Sequence, residues 1–227
     1  MNVDSQYIKQ AASRLGADLC GIASIERFQQ APAGFHPHDV MSGCRSVVVM
    51  ASRLPGSVLN AESKVPYTFV RNMMVQKMDI ISFELTNQLD AAGIQVAPIP
   101  TAEPYEYWDE SRTHGRGIIS LKHAAQLAGM GRIVKNTLLT NDKYGNRIWL
   151  GAVLVSEALE EDAPASYEGC LPDCELCLNA CPQGALDGVT INQNLCRSRC
   201  LGSSPGGGWY FRCNACLQLC PHSPGLK

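Results

Sequence analysis

Cys170-Leu-Pro-Asp-Cys174-Glu-Leu-Cys177-Leu-Asn-Ala-Cys181-Pro182 and Cys213-Asn-Ala-Cys216-Leu-Gln-Leu-Cys220-Pro221 are the segments that decide the fold of this chain. Each segment ends in a Cys-Pro pair, and Cys196 lies between them. The sequence has 11 cysteines, of which all but Cys20 and Cys44 fall between Cys170 and Cys220. This concentration marks off a small cysteine-rich module that differs in composition from the rest of the chain.

The spacing of these cysteines is typical of iron–sulfur ligands. Steps of two or three residues let successive backbone turns supply three thiolates to one cluster, and the fourth thiolate comes from a distant position. In two-cluster ferredoxins the cysteine before proline binds the other cluster. The pattern therefore predicts two 4Fe-4S clusters. The ligands are assigned as Cys170, Cys174, Cys177 and Cys220 for one cluster and Cys181, Cys196, Cys213 and Cys216 for the other.

Two alternatives stay open for the cysteine-rich module. Paired two-residue spacings also occur in all-thiolate zinc sites, although zinc sites do not require the repeated Cys-Pro ending. Cys200 follows Cys196 by four residues and could replace it as a ligand. Cys20 and Cys44 lie far from the module, and we interpret them as buried, unreactive thiols.

Composition excludes several other classes of function. The chain has 227 residues, a net charge of -2 and 18% charged residues, so it offers no general basic field for nucleic acid. No apolar run approaches the roughly 18 residues of a membrane span. The N-terminal residues lack a secretory signal, which predicts a cytoplasmic protein. Reduced thiols in that compartment agree with metal ligation rather than disulfides.

Hydrophobic periodicity predicts an α/β body before the cysteine-rich module. Asp4 is placed to cap a first helix, and Val47 to Met50 form the apolar run of a buried strand. A long helix is predicted from Thr68 to Ala92, with its buried stripe made of Met74, Met78, Ile81, Leu85 and Leu89. Acidic residues 157–162 and Pro164 suggest a linker. We therefore expect two domains, 1–163 and 164–227.

Two further segments carry a family resemblance. Ala128-Gly-Met-Gly-Arg-Ile-Val-Lys-Asn-Thr-Leu-Leu-Thr and Lys143-Tyr-Gly-Asn-Arg-Ile-Trp-Leu-Gly-Ala-Val-Leu are similar to the central signature of the epoxyqueuosine reductases. The signature, the acidic linker and the two cysteine segments follow one another in the same order as in that family. The related corrinoid-dependent reductive dehalogenases share this order, and the resemblance covers nearly the whole chain.

The resemblance implies an α+β protein in which a nitroreductase-like α/β domain holds cobalamin against a two-cluster ferredoxin-like domain. The protein would be an iron–sulfur oxidoreductase that passes electrons through its clusters to the corrinoid. A flavodoxin or a ferredoxin would supply those electrons. A flavin is the alternative second cofactor, since nitroreductase-like domains commonly hold one. The residues expected around the corrinoid are Gly129, Gly131, Lys135, Asn136, Tyr144 and Gly145.

The chain departs from the family pattern at two places. Where the epoxyqueuosine reductases carry a proton-donating aspartate, this sequence has Ile99-Pro-Thr-Ala-Glu103-Pro, so Glu103 is the candidate general acid if burial raises its pKa. The sequence also lacks the C-terminal helical repeats with which the full-length enzymes hold tRNA. We therefore expect a small molecule or a corrinoid protein, and no tRNA, as electron acceptor. The alternative function is a non-catalytic electron-transfer or corrinoid-activating partner.

Overall fold

The computed structural model describes residues 3–109 and 114–226 as a mixed α/β protein. The larger helices are α1 (Ser5–Arg14), α3 (Val65–Ala91), α4 (Leu121–Leu127) and α6 (Gln193–Cys200), and single turns form α2 (Pro37–Val40), α5 (Leu176–Asn179) and α7 (Ala215–Gln218). The main strands are β1 (Leu19–Ser24), β2 (Ser46–Arg53), β3 (Val96–Ile99) and β8 (Ile148–Val155). Short strands are β4 (Tyr107–Asp109), β5 (His114–Arg116), β6 (Arg132–Ile133), β7 (Leu139–Thr140), β9 (Leu201–Ser203) and β10 (Trp209–Phe211).

The central sheet has four antiparallel strands in the order β1-β2-β8-β3. The apolar run in β2 is buried from Ser46 to Ser52, as the sequence predicts, because β2 pairs on both edges and is covered on both faces. Helices α1 and α3 cover one face, while α4 and the segments around it cover the other. The sheet therefore separates two apolar layers.

Helix α3 is the longest element of the fold and carries the predicted buried stripe. Met74, Met78, Ile81, Leu85 and Leu89 are all buried, most of them against the sheet. The helix begins at Val65, three residues before the predicted start, and Pro66 lies in its first turn, where a missing N–H costs no hydrogen bond. It ends at Ala91, and Gly93 then adopts a φ of 82°.

The acidic segment predicted as a linker packs onto the α/β body. Asp162 pairs with Lys9 at 2.5 Å and accepts a hydrogen bond from the Ile22 amide. Glu161 pairs with Arg27 at 2.7 Å. The chain therefore crosses to the cysteine-rich module from a fixed position.

The cysteine-rich module shares apolar packing with the α/β body. Leu217 of α7 lies in one buried cluster with Leu54, Leu59, Tyr67 and Met74. The hairpin β9–β10 also contacts α3, where the Phe211 amide donates to Thr68 Oγ1 at 2.9 Å. Within the described ranges, no helix is long and apolar enough to cross a membrane.

Candidate functional site

The first predicted quartet of cysteines lines a single cavity. Cys170, Cys174, Cys177 and Cys220 face it, with Val134, Asn136, Gly169, Leu171, Pro221 and His222 completing the wall. Burial raises the pKa of Cys177 and of Cys220, and the nearby thiolates of Cys170 and Cys174 act in the same direction on both. Cys220, from the second segment, therefore lies with three cysteines of the first.

Cys216 lies near the other cysteines predicted for the second quartet. Burial raises the pKa of Cys216 to about 12, and the thiolates of Cys196, Cys213, Cys181 and Cys177, in that order, act in the same direction. Cys181 precedes the proline of the first segment and also accepts a hydrogen bond from the Ala185 amide at 3.3 Å. An N–H aimed at a thiolate is the usual environment of a cluster ligand.

Short helical turns position both groups of thiols. Cys177 is carried by α5 and Cys216 by α7, and these two turns pack against each other. Cys196 and Cys200 lie one turn apart on α6, where a hydrogen bond between their thiols raises the pKa of Cys196 and lowers that of Cys200. Cys200 therefore lies beside the second quartet as a ninth thiol of the module.

The residues present fit iron–sulfur ligation. All-thiolate quartets in apolar surroundings are the donor set of such clusters. Asn214, between Cys213 and Cys216, is 6% exposed, and its Nδ2 has no hydrogen-bond partner among the described residues. A buried amide without a partner is costly, and a cluster sulfur would satisfy it. Among the described residues, no three His, Cys, Asp or Glu side chains are placed to hold a single metal ion. A 4Fe-4S cluster does not require that arrangement, because each of its four irons takes one thiolate.

Three of the six residues expected around a corrinoid are glycines that lie against other segments of the chain. A Cβ at Gly145 would overlap the carbonyl oxygens of His222 and Ser223, and one at Gly131 would overlap that of Thr140. Gly129 lies in the same way against Ala163. The close approach that these glycines permit is therefore between segments of the chain.

The polar members of that set bind the cysteine-rich module. Lys135 Nζ donates to the Cys174 carbonyl at 3.0 Å, and Asn136 Nδ2 donates to the Cys216 carbonyl at 2.9 Å. Asn136 is 2% exposed, and Tyr144 is half-buried beside Lys143. Lys135, Asn136 and Gly145 therefore contact the cysteine-rich module, and the expectation that the six residues surround a corrinoid stays a prediction.

Glu103 is exposed, so the burial that its role as a general acid requires is not found. Arg71 of α3 is half-buried, and the sequence analysis did not identify it. Burial lowers the pKa of Arg71, and the Glu103 carboxylate is among the nearby groups that oppose this shift. The Arg71 guanidinium carbon lies 5.3 Å from the ring centroid of Phe211, 5.4 Å from that of Trp149 and 6.0 Å from that of Trp209. Rings at such distances stabilise a cation.

Tyr67 lies one turn before Arg71 and faces the second quartet. Burial raises its pKa to about 12, and the Cys216, Cys200 and Cys213 thiolates contribute in the same direction. The signal for this region was the Trp209-Tyr-Phe211 run next to Cys213, because aromatic residues in a short hairpin need a surface to pack on. We name Tyr67, Arg71 and Glu103 the exit surface of the second quartet.

Comparison with known proteins places the chain in a family. No family model matches it. It is 32% identical to the epoxyqueuosine reductase of Staphylococcus aureus (strain NCTC 8325 / PS 47) in an alignment that covers 100% of this chain and 67% of that relative. The chain belongs to the epoxyqueuosine reductase family. This confirms the resemblance carried by the segments 128–140 and 143–154.

Solved structures of the epoxyqueuosine reductases and of a reductive dehalogenase share the fold. The structure from Streptococcus thermophilus has a TM-score of 0.68 and 19% identity, covering 100% of this chain and 68% of that one. A reductive dehalogenase structure, titled as suggesting a mechanism for B12-dependent dehalogenation, has a TM-score of 0.62 and 17% identity. The match covers 96% of this chain and 32% of the dehalogenase chain.

The expectation that tRNA is not a partner is wrong. An epoxyqueuosine reductase crystallised with an epoxyqueuosine-modified tRNA-Tyr stem loop matches 97% of this chain with a TM-score of 0.63 and 22% identity, and the chain spans 65% of it. The expectation relied on the net charge of the whole chain and on the C-terminal helical repeats with which the full-length enzymes hold tRNA. The net charge does not describe every segment, because residues 188–226 contain Arg197, Arg199 and Arg212 but no Asp or Glu.

Proposed function

We propose that this chain is an iron–sulfur reductase of the epoxyqueuosine reductase family, with a nitroreductase-like part at 1–163 and a two-cluster ferredoxin-like part at 164–227. The observation that carries the proposal is the single cavity lined by Cys170, Cys174, Cys177 and Cys220 in a chain of that family. When bound, the clusters would supply one-electron transfer at low potential. The quartets would hold them and exclude water from them.

The exit surface is where the protein would meet an electron acceptor. Tyr67 borders the second quartet and is 8% exposed. Arg71 offers a positive charge held between rings, and its Nε is buried without a hydrogen-bond partner among the described residues. A negatively charged group of an acceptor would satisfy that guanidinium.

A tRNA stem loop is the acceptor class that we propose, on the basis of the tRNA-bound relative and of the cationic stretch at 188–226. Arg199 and Arg212 are exposed, and Trp209 is 51% exposed on the hairpin between them. Arginines beside an open aromatic ring suit RNA, because phosphates pair with the cations and unstacked bases stack on the ring.

The corrinoid has weaker support. It rests on the resemblance and on the B12-dependent dehalogenase neighbour, whose 17% identity indicates the fold alone. Of the six residues expected to surround it, the three glycines, Lys135 and Asn136 contact other segments of the chain, and we assign no step of the reaction to it. A flavin has no specific support from the described residues.

A non-catalytic electron carrier is the second candidate. The exposure of Glu103 favours it, since a carboxyl group that donates a proton in catalysis is normally held in a buried, prepared position. In that case the exit surface would dock another protein.

Anaerobic purification, with assay of iron and acid-labile sulfide, tests the common part of both candidates. We expect about eight irons and eight sulfides per chain, and zinc in place of iron would refute the proposal. Titration with hydroxocobalamin, followed by the visible spectrum, then tests for a corrinoid site. Reduction of an epoxyqueuosine-bearing tRNA stem loop by the reduced protein would establish the reductase; binding to a redox protein without turnover would leave the carrier.

A further inference from the structure

Helix α3 is apolar on two opposite faces. The buried stripe packs against the sheet, and a second stripe, formed by Val65, Phe69, Met73, Ile80 and Phe83, lies on the other side. Val65 and Phe83 are five turns apart, and at about 100° per residue all five side chains fall within about 80° of arc. A helix that is apolar on both sides is normally buried on both sides.

This second stripe is open to solvent in the described structure. The exposed fractions are 59% for Val65, 63% for Phe69, 40% for Met73, 61% for Ile80 and 57% for Phe83. Single exposed apolar residues are common, but a continuous row about 27 Å long is not. The arc contains no charged residue, because its remaining positions are occupied by Gln76, Asn87 and Ala91. The stripe therefore has the character of an interface.

One edge of the stripe carries two opposite charges that can pair between two copies of the chain. Lys77 precedes Ile80 by three residues, Glu84 follows it by four, and both lie along the same edge of the stripe. In an antiparallel pair of α3 helices related by a two-fold axis beside Ile80, Lys77 of each copy meets Glu84 of the partner subunit. Lys77 is free to turn outward, since its intrachain contact with Asp18 is long, at 3.9 Å, and half exposed.

We propose that the second stripe of α3 binds a second copy of this chain, forming an isologous antiparallel dimer centred on Ile80. The two stripes bury one another, and the Lys77–Glu84 pairs on the edge set the register. A closed two-fold interface of this kind uses one patch on both subunits. It leaves the cysteine quartets and the exit surface outside the contact, so the dimer does not depend on the proposed reaction.

Analytical ultracentrifugation across a dilution series tests the proposal on the purified chain, with and without its clusters. We expect twice the chain mass for the wild type. Ile80→Glu is expected to weaken association at least about a hundredfold, because it buries two charges at the two-fold axis. Val189→Glu is the matched control, since Val189 is 82% exposed outside the stripe, and it should leave the mass unchanged. A wild-type monomer throughout the series would overturn the proposal.

Charge exchange distinguishes a second copy from any other occupant. Glu84→Lys alone should weaken the dimer about three- to tenfold, because each interface then has two like-charged pairs. Adding Lys77→Glu should restore it, since the pairs are regenerated with opposite sign. Thermal unfolding of both variants checks that Asp18 near position 77 has not destabilised the monomer. A double variant no tighter than Glu84→Lys would contradict the proposed register, and with it the proposal.

Discussion

Substituting Cys196 and Cys200 one at a time tests which of the two cysteines is a cluster ligand. Cys196 contributes most among the thiolates that raise the pKa of half-buried Cys216, whereas Cys200, the last residue of α6, is hydrogen-bonded to Cys196. We therefore expect Cys196→Ser to lose about four irons of eight, and Cys200→Ser to retain all of them. Iron and sulfide assays after anaerobic purification measure this. Loss of four irons from Cys200→Ser alone would reverse the assignment.

Asn214 provides a second test on a single residue, which measures the reduction potential of a cluster rather than the number of irons bound. If its buried Nδ2 donates to a cluster sulfur, Asn214→Leu removes a hydrogen bond that favours the reduced, more negative cluster. A net contribution of about 1 kcal/mol corresponds to a potential lower by about 40 mV for one electron. A redox titration followed by electron paramagnetic resonance measures it, with exposed Asn194→Leu as the control. Equal potentials would exclude this role for Asn214.

Residues whose role is set by local chemistry could be predicted from the sequence, and those set by packing could not. The two quartets are predicted from ligand spacing and the Cys-Pro rule, and the cysteines of the first quartet line one cavity, while their role as ligands stays a prediction. The roles of Gly145 and Glu103 depend on what lies against them. Gly145 lies against the backbone of His222 and Ser223, whereas Glu103 is exposed to solvent. Neither environment can be predicted from the residues next to these positions in the sequence.

Secondary structure was predictable wherever one face of an element packs on a core. Helix α1, capped by Asp4, and strand β2 lie where hydrophobic periodicity predicts them. Hydrophobic periodicity does not predict the hairpin β9–β10, because its strands have three residues each and the hairpin is held by contact with α3. Short strands with distant partners leave little periodic signal.

The turn at Asn136 tests whether the family signature serves packing or a corrinoid. Asn136 bridges the Leu138 amide and the Cys216 carbonyl from a buried position. Asn136→Ala should lower the free energy of unfolding by about 1–3 kcal/mol without any corrinoid present, because it leaves buried groups unpaired. Urea unfolding measures this, with Asn194→Ala as an exposed control. A variant of unchanged stability that loses corrinoid binding would instead support the role that the resemblance implies.

At the scale of the whole molecule, the predicted boundary between 163 and 164 marks a change in amino-acid composition, but the residues on its two sides pack together. The cysteine-rich module packs Leu217 among residues of the α/β body, and Arg147 Nε donates to the Ser223 carbonyl at 2.8 Å. Cysteine density changes at the boundary in sequence, but apolar contacts and hydrogen bonds cross it. We therefore expect the two parts to unfold together.

Leu217 is the residue through which that coupling is best tested. It is 7% exposed, so Leu217→Ala should lower the free energy of unfolding by about 2–5 kcal/mol, whereas Leu219→Ala in the same segment, at 52% exposure, should cost less than about 0.5 kcal/mol. Urea unfolding followed both by circular dichroism and by visible cluster absorbance measures the change. Because the module and the body share the Leu217 contacts, both signals should move to lower urea concentration together. If only the cluster signal moved, the cysteine-rich module would be an independent folding unit.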